Sequence, residues 1–512
     1  MNENSIYSQI ILSKSGVQIP VFKSGRTVDS RYDPYKESLK LLEQINQNTH
    51  FIILIGIGSG IFIQTIIQNR PDVFVLAVEK SDDDIEFLKN LSVIQKVLEN
   101  KNLKLCHIME LEQQIINLYV PAFYGNLQII QQRGWTTENQ DCIELINKAV
   151  SKATGIVSAD FSVQSHFGKL WHHNILSNIK NLCNAAIQKN INLSKNKTAV
   201  VVAAGPSLDK SIKQIIDDRE KLFVIATDTA FSILISYNVI PDAVVSIDGQ
   251  NISNVHFIHN NKKEFSDTLF LFDLCANSSA AKAVINSKAK VCFFTSGHPL
   301  SEFLNKHFKL ELPSLFSGAG TVTICAVDFA VKAGFKNIIT AGTDFSYSNG
   351  KPYAKGTYLD RLYNYKASRL ECTQKQFSNL EFRTELIQKE NCFTTQVLQA
   401  YRSSFEDYLS QRGFAFFKEN DIYKISCDSS QTDIFLKMSY VLDSKAVLEE
   451  LEKIYNSKDS NKTFNTFFEL TESDISLLPL ISWLRNHDNK DRSDFNYFYK
   501  QAIFHCTGMG GN

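Results

Sequence analysis

Several apolar runs in this chain stop abruptly at residues suited to holding an anion. Val200–Ala204 reads as a buried strand, and it breaks at Gly205-Pro206-Ser207 just before a helical repeat at Leu208, Ile212 and Ile215. A strand that turns at a glycine into a helix brings backbone N–H groups to the carboxyl edge of a sheet, where phosphates bind. Pro206 removes a donor that a helix start leaves unsatisfied, and Ser207 is a capping type. A second opening of this kind is Ser317-Gly-Ala-Gly-Thr-Val-Thr323, ahead of an apolar helix. Other polar residues fall where strands should end: Asp228, Asp248, Asp273, His298 and Gly342-Thr-Asp344-Phe345. Each has a plainer reading as a helix cap or a turn residue.

A third glycine turn, Gly56-Ile-Gly-Ser-Gly60, follows the apolar run Phe51–Ile55 and precedes Val73–Glu79. Strand, glycine turn, helix and strand ending in an acid is the spacing of a dinucleotide or S-adenosylmethionine pocket. Close packing of a structural βαβ unit accounts for the same glycines, and we favour that reading. His166, His172 and His173 include no pair one helical turn apart, so they suit packing better than metal binding.

These residues need a scaffold. The β-rich runs Val200–Ala204, Leu222–Thr227, Ala243–Ile247, Leu269–Phe272, Val291–Phe294 and Ile338–Ala341 alternate with helical patterns. That is the signature of a doubly wound, parallel-sheet (Rossmann-like) α/β domain, whose ligands sit beyond the carboxyl ends of its strands. The pattern divides the chain into a smaller α/β domain (1–165), a central doubly wound domain (166–405) with a lid at about 346–400, and a mainly helical C-terminal region (406–512). With 512 residues, 44% of them hydrophobic, there is material for several cores. Lys+Arg and Asp+Glu are 54 each, so no bulk charge points to nucleic acid or an anionic membrane. Ten cysteines without zinc-like spacing suit reduced thiols in a cytoplasmic protein. The stretch 51–67 is interrupted by glycines and polar residues, so no membrane span is expected.

Gly-Pro-Ser-Leu-Asp (205–209), Thr-Asp-Thr-Ala (227–230), Pro-Asp-Ala-Val-Val-Ser-Ile-Asp (241–248), Ser-Gly-Ala-Gly-Thr-Val (317–322) and Ala-Gly-Thr-Asp-Phe (341–345) together resemble the motility-associated factors. So do His-Phe-Gly-Lys-Leu-Trp (166–171) and Gly-Thr-Tyr-Leu-Asp-Arg (356–361). Those are flagellin glycosyltransferases with a 6-hydroxymethylpterin diphosphokinase-like central domain. The central segment is also similar to bacterial CMP-sialic acid sialyltransferases. The resemblance implies transfer of a nonulosonic acid from a CMP-activated donor to Ser/Thr hydroxyls of flagellin. It implies donor contacts from Gly205, Pro206, Ser207, Ser317, Gly318 and Asp344, with Tyr347 and Tyr353 on the leaving phosphate.

Two departures stand out. The sialyltransferases use a lid histidine as base, and this chain has no histidine between His307 and His487, which leaves His298 as an outside choice. Asp228 and Asp248 replace asparagines that face the nucleotide, which leaves open a divalent metal on this pair. Two alternatives follow: a Mg-dependent ATP:pterin diphosphokinase-like enzyme, and a non-catalytic flagellin-binding protein of the same fold.

Overall fold

The computed structural model describes residues 4–183, 197–257, 265–318, 320–348, 350–389, 392–419, 421–427, 443–459, 461–488 and 494–507. The segment 184–196 lies outside these residues, so the helical pattern that the sequence carries from His166 to about Lys195, a connector into the second unit, is described only to Leu182, within the helix Gln140–Leu182. The chain forms two compact units, one made of 1–169 with 451–512 and the other of 170–450. The terminal helices Ser444–Asn456, Leu478–His487 and Phe495–Thr507 supply the helical C-terminal region.

In the first unit, β1 (Tyr7–Leu12) and β2 (Gln18–Phe22) form an antiparallel hairpin. The strands β3 (Thr49–Ile55), β4 (Phe74–Glu79), β5 (Leu103–His107) and β6 (Asn126–Gln131) make a parallel sheet in the order β5-β4-β3-β6. The crevice between β3 and β6, where strand order reverses, is filled by the chain itself. A Cβ on Gly56 would lie 2.5 Å from the Trp135 side chain, and one on Gly58 would lie 2.6 Å from Asp29 Oδ2. The Asp29 carboxylate takes the anion's place, accepting from Ser59 N at 2.7 Å and Ser59 Oγ at 2.8 Å. Glu79 is fully buried and accepts from Tyr7 Oη at 3.1 Å, Ile57 N at 3.3 Å and Trp135 Nε1. The glycines thus serve close packing.

Burial pushes the carboxyl of Glu79 up from 4.5 to about 7, and that of Asp29 from 3.8 to about 6. Between those values the native state holds protons that the unfolded chain has released, so stability falls as pH rises. Their contribution is complete below about pH 4 and gone above about pH 7, worth at most about 3.5 kcal/mol for Glu79 and about 3 kcal/mol for Asp29 at ~1.4 kcal/mol per pKa unit. Urea titrations should therefore find this unit more stable at pH 5 than at pH 7.5, and Glu79→Gln should flatten that slope. A wild-type stability that rises over this interval would contradict the burial argument.

The second unit holds a sheet of eight strands. The strands β7 (Thr198–Val202), β8 (Leu222–Thr227), β9 (Ala243–Ser246), β10 (Leu269–Asp273), β11 (Lys290–Phe294) and β12 (Asn337–Ala341) are parallel. The hairpin β13 (Ile387–Lys389) and β14 (Cys392–Thr394) stands apart. The strands β15 (Ala415–Glu419) and β16 (Ile422–Ser426) join antiparallel, giving the order β11-β10-β9-β8-β7-β12-β16-β15. Residues just past 406, read from sequence as mainly helical, thus include two strands that cover the exposed edge of β12. The helix Val322–Lys332, buried along most of its length, lies in the core against β7, β8, β9 and β12. Chain order reverses between β7 and β12, which makes their carboxyl ends the natural crevice. Among the described residues no helix is long and apolar enough to cross a membrane.

Candidate functional site

At the end of β7 the predicted glycine turn forms, but its first donors are occupied. Ser207 N donates to Asp344 Oδ1 at 3.0 Å and Ser207 Oγ to Asp344 Oδ2 at 2.8 Å. Leu208 N, Asp209 N and Lys210 N turn back onto Gly205, Pro206 and Ser207 carbonyls. Asp344, from the loop after β12, therefore sits where an anion was expected, and this opening offers no free N–H to a phosphate. Gly205 is needed for that clasp, since a Cβ there would lie 2.1 Å from Asp344 Oδ2 and 2.5 Å from Gly342 O. Burial raises the Asp344 carboxyl, and the Ser207 bonds hold it back. Beside it, Phe345 adopts a φ of 50°, a strained value for a bulky residue.

The second opening differs. Thr321 precedes the helix Val322–Lys332 without any side-chain cap bond, so the positive end of an eleven-residue helix faces the carboxyl edge uncapped. Gly318 has a φ of 55°, and a Cβ there would lie 2.8 Å from Ser404 Oγ. Ser317 O accepts from Gly320 N and Thr321 N, both at 3.1 Å; Ala319 lies outside the described residues. Ser404 belongs to the helix Gln396–Gln411, which also carries Tyr401 and Arg402. Arg402 donates through Nη2 to Asp344 O at 2.6 Å, while its buried Nε has no partner. One helix thus joins the Ser317 turn to the Asp344 clasp. Sequence inspection missed it, because an amphipathic helix just past the predicted lid reads as core.

Between these points stands a group of tyrosines. Lys355 N donates to Asp209 Oδ1 at 3.0 Å, Ala354 N to Ala204 O at 2.9 Å, and Gly356 abuts Ser236 of the helix Asp228–Ser236. The Ala354 bond seats Tyr353 beside the end of β7. Burial, then the fields of Tyr358, Tyr347, Asp228 and Tyr401, push its phenol up to about 12, so it stays a hydrogen-bond donor at neutral pH. Tyr347 is fixed by a two-bond bridge to Phe393 of β14. Tyr358 and Tyr401 are likewise raised by burial first, with Asp248 contributing to both. The structure brings Tyr347 and Tyr353 together, and adds Tyr358 and Tyr401.

Asp228 and Asp248 lie close enough to affect each other, but both are engaged locally. Asp228 accepts from Thr229 N at 2.7 Å and Ser246 Oγ at 2.9 Å. Asp248 accepts from Gln250 N at 2.9 Å and Ser253 Oγ at 2.6 Å. The loop carrying Asp248 is held by an asparagine ladder on the connector helix: Asn174 Nδ2 donates to Gly249 O and Cys275 O, Asn178 Nδ2 to Leu274 O and Ala276 O, and Asn181 Nδ2 to Ser278 O. Its spacing, one helical turn per step, was the available signal. Among the described residues no three His, Cys, Asp or Glu side chains are grouped to hold a metal ion. Buried His256, also missed, stands edge-on to Tyr358 at 4.8 Å, within the fields of Asp228 and Asp248. Burial lowers its imidazole and raises Asp228, so burial works against charge on both partners.

His298 does not join this group. It follows β11, four strands from β7 and so about 19 Å away at ~4.8 Å per strand. Its Nδ1 accepts from Leu300 N at 3.2 Å as a helix cap, and its ring stands edge-on to Trp171. Burial pushes its pKa down to about 3, too low for an effective base near neutral pH.

Residues 173–350 match the family model described as 6-hydroxymethylpterin diphosphokinase MptE-like. Three uncharacterized proteins of Treponema pallidum (strain Nichols) are similar to the chain. One is 36% identical over 141 residues, 28% of this chain and 67% of that protein. Another is 35% identical over 145 residues, 28% of this chain and 51% of that protein. The third is 28% identical over 206 residues, 39% of this chain and 35% of that protein. The chain thus spans about two thirds, half and a third of these relatives' lengths. Among solved structures, the MAf glycosyltransferase from Magnetospirillum magneticum AMB-1 superposes with a TM-score of 0.58 at 11% identity, over 98% of this chain and 91% of that one. The fold is shared.

Proposed function

Because the chain belongs to the motility-associated factor family, with an MptE-like domain at its centre, we propose that it is a glycosyltransferase that moves a nonulosonic acid from a CMP donor to Ser/Thr hydroxyls of flagellin. The observation that carries this reading is the convergence of an uncapped helix start, Arg402 and the tyrosines Tyr347, Tyr353, Tyr358 and Tyr401 around one carboxyl edge. That is a lining rich in hydrogen-bond donors, with one guanidinium among them, suited to a phosphodiester. In the transition state the bond from the anomeric carbon to the phosphate oxygen breaks and charge gathers on the departing phosphate. Preorganised donors are most effective at such a point.

The phosphate is assigned to the Thr321 helix start and Arg402, and not to the Gly205 turn that Asp344 fills. Asp228 and Asp248 retain lone pairs for ribose or sugar hydroxyls.

Intact-mass spectrometry of flagellin incubated with the protein and a CMP-nonulosonic acid tests the proposal. The expected result is a gain of one sugar residue per modified hydroxyl, with release of CMP. The MptE-like match motivates a parallel arm with ATP, Mg²⁺ and a hydroxymethylpterin. AMP release there with unchanged flagellin would replace this reading by the diphosphokinase one, and inactivity in both arms would leave the flagellin-binding role.

A further inference from the structure

Resting on the transfer reading above, we propose that Asp209 is a positioning residue: it latches the strap 350–356 so that the Tyr353 phenol stands fixed for the departing phosphate. The turn 205–209 receives no phosphate in that reading, and its polar residues close instead on the loop that follows β12. Ser207 holds Asp344 at the start of that loop. Asp209, two residues on, accepts from Lys355 N at 3.0 Å through Oδ1 farther along it. Next to this bond, Ala204 O accepts from Ala354 N at 2.9 Å. The loop is thus bonded at both flanks to one turn at the carboxyl end of β7. Because Arg402 donates to Asp344 O, these bonds put Tyr353 and Arg402 on the same edge.

The strap is built to present a side chain. Gly350 and Gly356 bound it with φ of 66° and 98°, values that glycine adopts without strain. Between them burial alternates: Pro352 and Ala354 are buried, whereas Lys351, Tyr353 and Lys355 are exposed. Tyr353 is 36% exposed, so its ring is open to a bound molecule. Before the tyrosine, Lys351 closes a two-bond turn on Ser348, and after it come the Ala204 and Asp209 bonds.

Stability is a poor explanation for this latch. An aspartate in the first turn of the helix Leu208–Asp217 favours the helix dipole whichever way it points. Its second oxygen lies 3.8 Å from Lys351 Nζ, in an ion pair open to water and of little weight. What the carboxylate fixes is the place of Tyr353. A donor to a developing phosphate charge acts best when it is held before the charge appears. A strap free to sway loses that advantage even with its hydroxyl intact.

The test is Asp209→Ala in the full chain, assayed with CMP-nonulosonic acid and flagellin. Tyr353→Phe removes the donor outright and should lower kcat about 10²–10³-fold. Asp209→Ala should lower it about ten- to a hundredfold, since a misplacement of about 1 Å suffices for the larger figure. The donor KM should stay close to wild type, as for an interaction made in the transition state, and Tm should barely move. Asp209→Asn keeps an acceptor for Lys355 N and should recover most of the rate. Adding Asp209→Ala to Tyr353→Phe should cost no further rate, because the latch acts through that phenol. A wild-type kcat in Asp209→Ala overturns the assignment. So does an equal loss in the Tyr353→Phe background, or a fall in Tm that Asp209→Asn fails to rescue. A wild-type protein that binds CMP yet transfers nothing overturns the transfer reading, and the assignment with it.

Discussion

Replacing Arg402 with methionine weakens CMP binding by about ten- to a hundredfold while Tm moves by only a few degrees. In the resting protein the guanidinium makes a bond to the Asp344 carbonyl, and its Nε is buried without a partner. Five donors on a planar fork are far more than one carbonyl needs, and Arg matches phosphate oxygens two at a time. A charged hydrogen bond of this type is worth about 1.5–3 kcal/mol, which gives the stated range at ~1.4 kcal/mol per tenfold. Methionine keeps most of the stem's packing and no longer buries an unpaired Nε, so the fold loses only the one bond to the Asp344 carbonyl. Arg402→Lys should fall between, since it keeps the charge but not the fork. Calorimetric titration with CMP at two salt concentrations reads both effects. Wild-type affinity in Arg402→Met would remove the phosphate from the Thr321 opening.

The parallel sheets could be read because β3 and β7 to β12 are apolar, β-branched or aromatic runs closed by turn residues, a pattern that burial on both faces imposes. The strands β15 and β16 escaped because Lys418, Glu419 and Lys424 lie among their aromatic residues, as suits the polar margin of a sheet that ends at β15. The site shows a similar divide. Gly205, Ser207, Ser317, Gly318 and Asp344 were recognisable by residue type, and the structure places all five beside the carboxyl edge. What types do not reveal is who bonds to whom. The same serine and glycine that can cradle phosphate can close on a carboxylate, and here Asp344 takes that place, as Asp29 does at Ser59 in the other unit. Arg402 and His256 left no motif because neither lies in a glycine turn or at a strand end, where residue types announce a site. Their meaning arises only when distant segments meet.

Gly205→Ala should be among the most damaging single changes in the second unit, lowering its Tm by roughly ten degrees. Gly205 is not at a positive φ, so backbone torsion does not demand glycine there. The demand is steric. A Cβ would stand 2.5 Å from Gly342 O, the carbonyl that accepts the 2.8 Å bond from Gly205 N, and 2.1 Å from Asp344 Oδ2. The carboxylate can retreat only by giving up Ser207 N and Oγ, and the carbonyl only by parting β7 from β12. Overpacking of this kind costs about 1–3 kcal/mol, and the lost charge-assisted bonds about 1.5–3 more. At ~2–4 °C per kcal/mol for a unit of this size, the sum gives the stated fall. Asp344→Asn keeps the shape and can still pair with Ser207, so its Tm should move little. Combining Gly205→Ala with Asp344→Ala should cost less than the two single changes added, because removing the carboxylate removes the closer clash. Thermal unfolding of the four proteins, with CMP titrations alongside, decides what the glycine is for. If Gly205→Ala keeps its Tm and loses only CMP, the turn exists for the approach of a ligand and the clasp is incidental. A falling Tm, with the non-additive rescue, means that this glycine serves a carboxylate of its own chain.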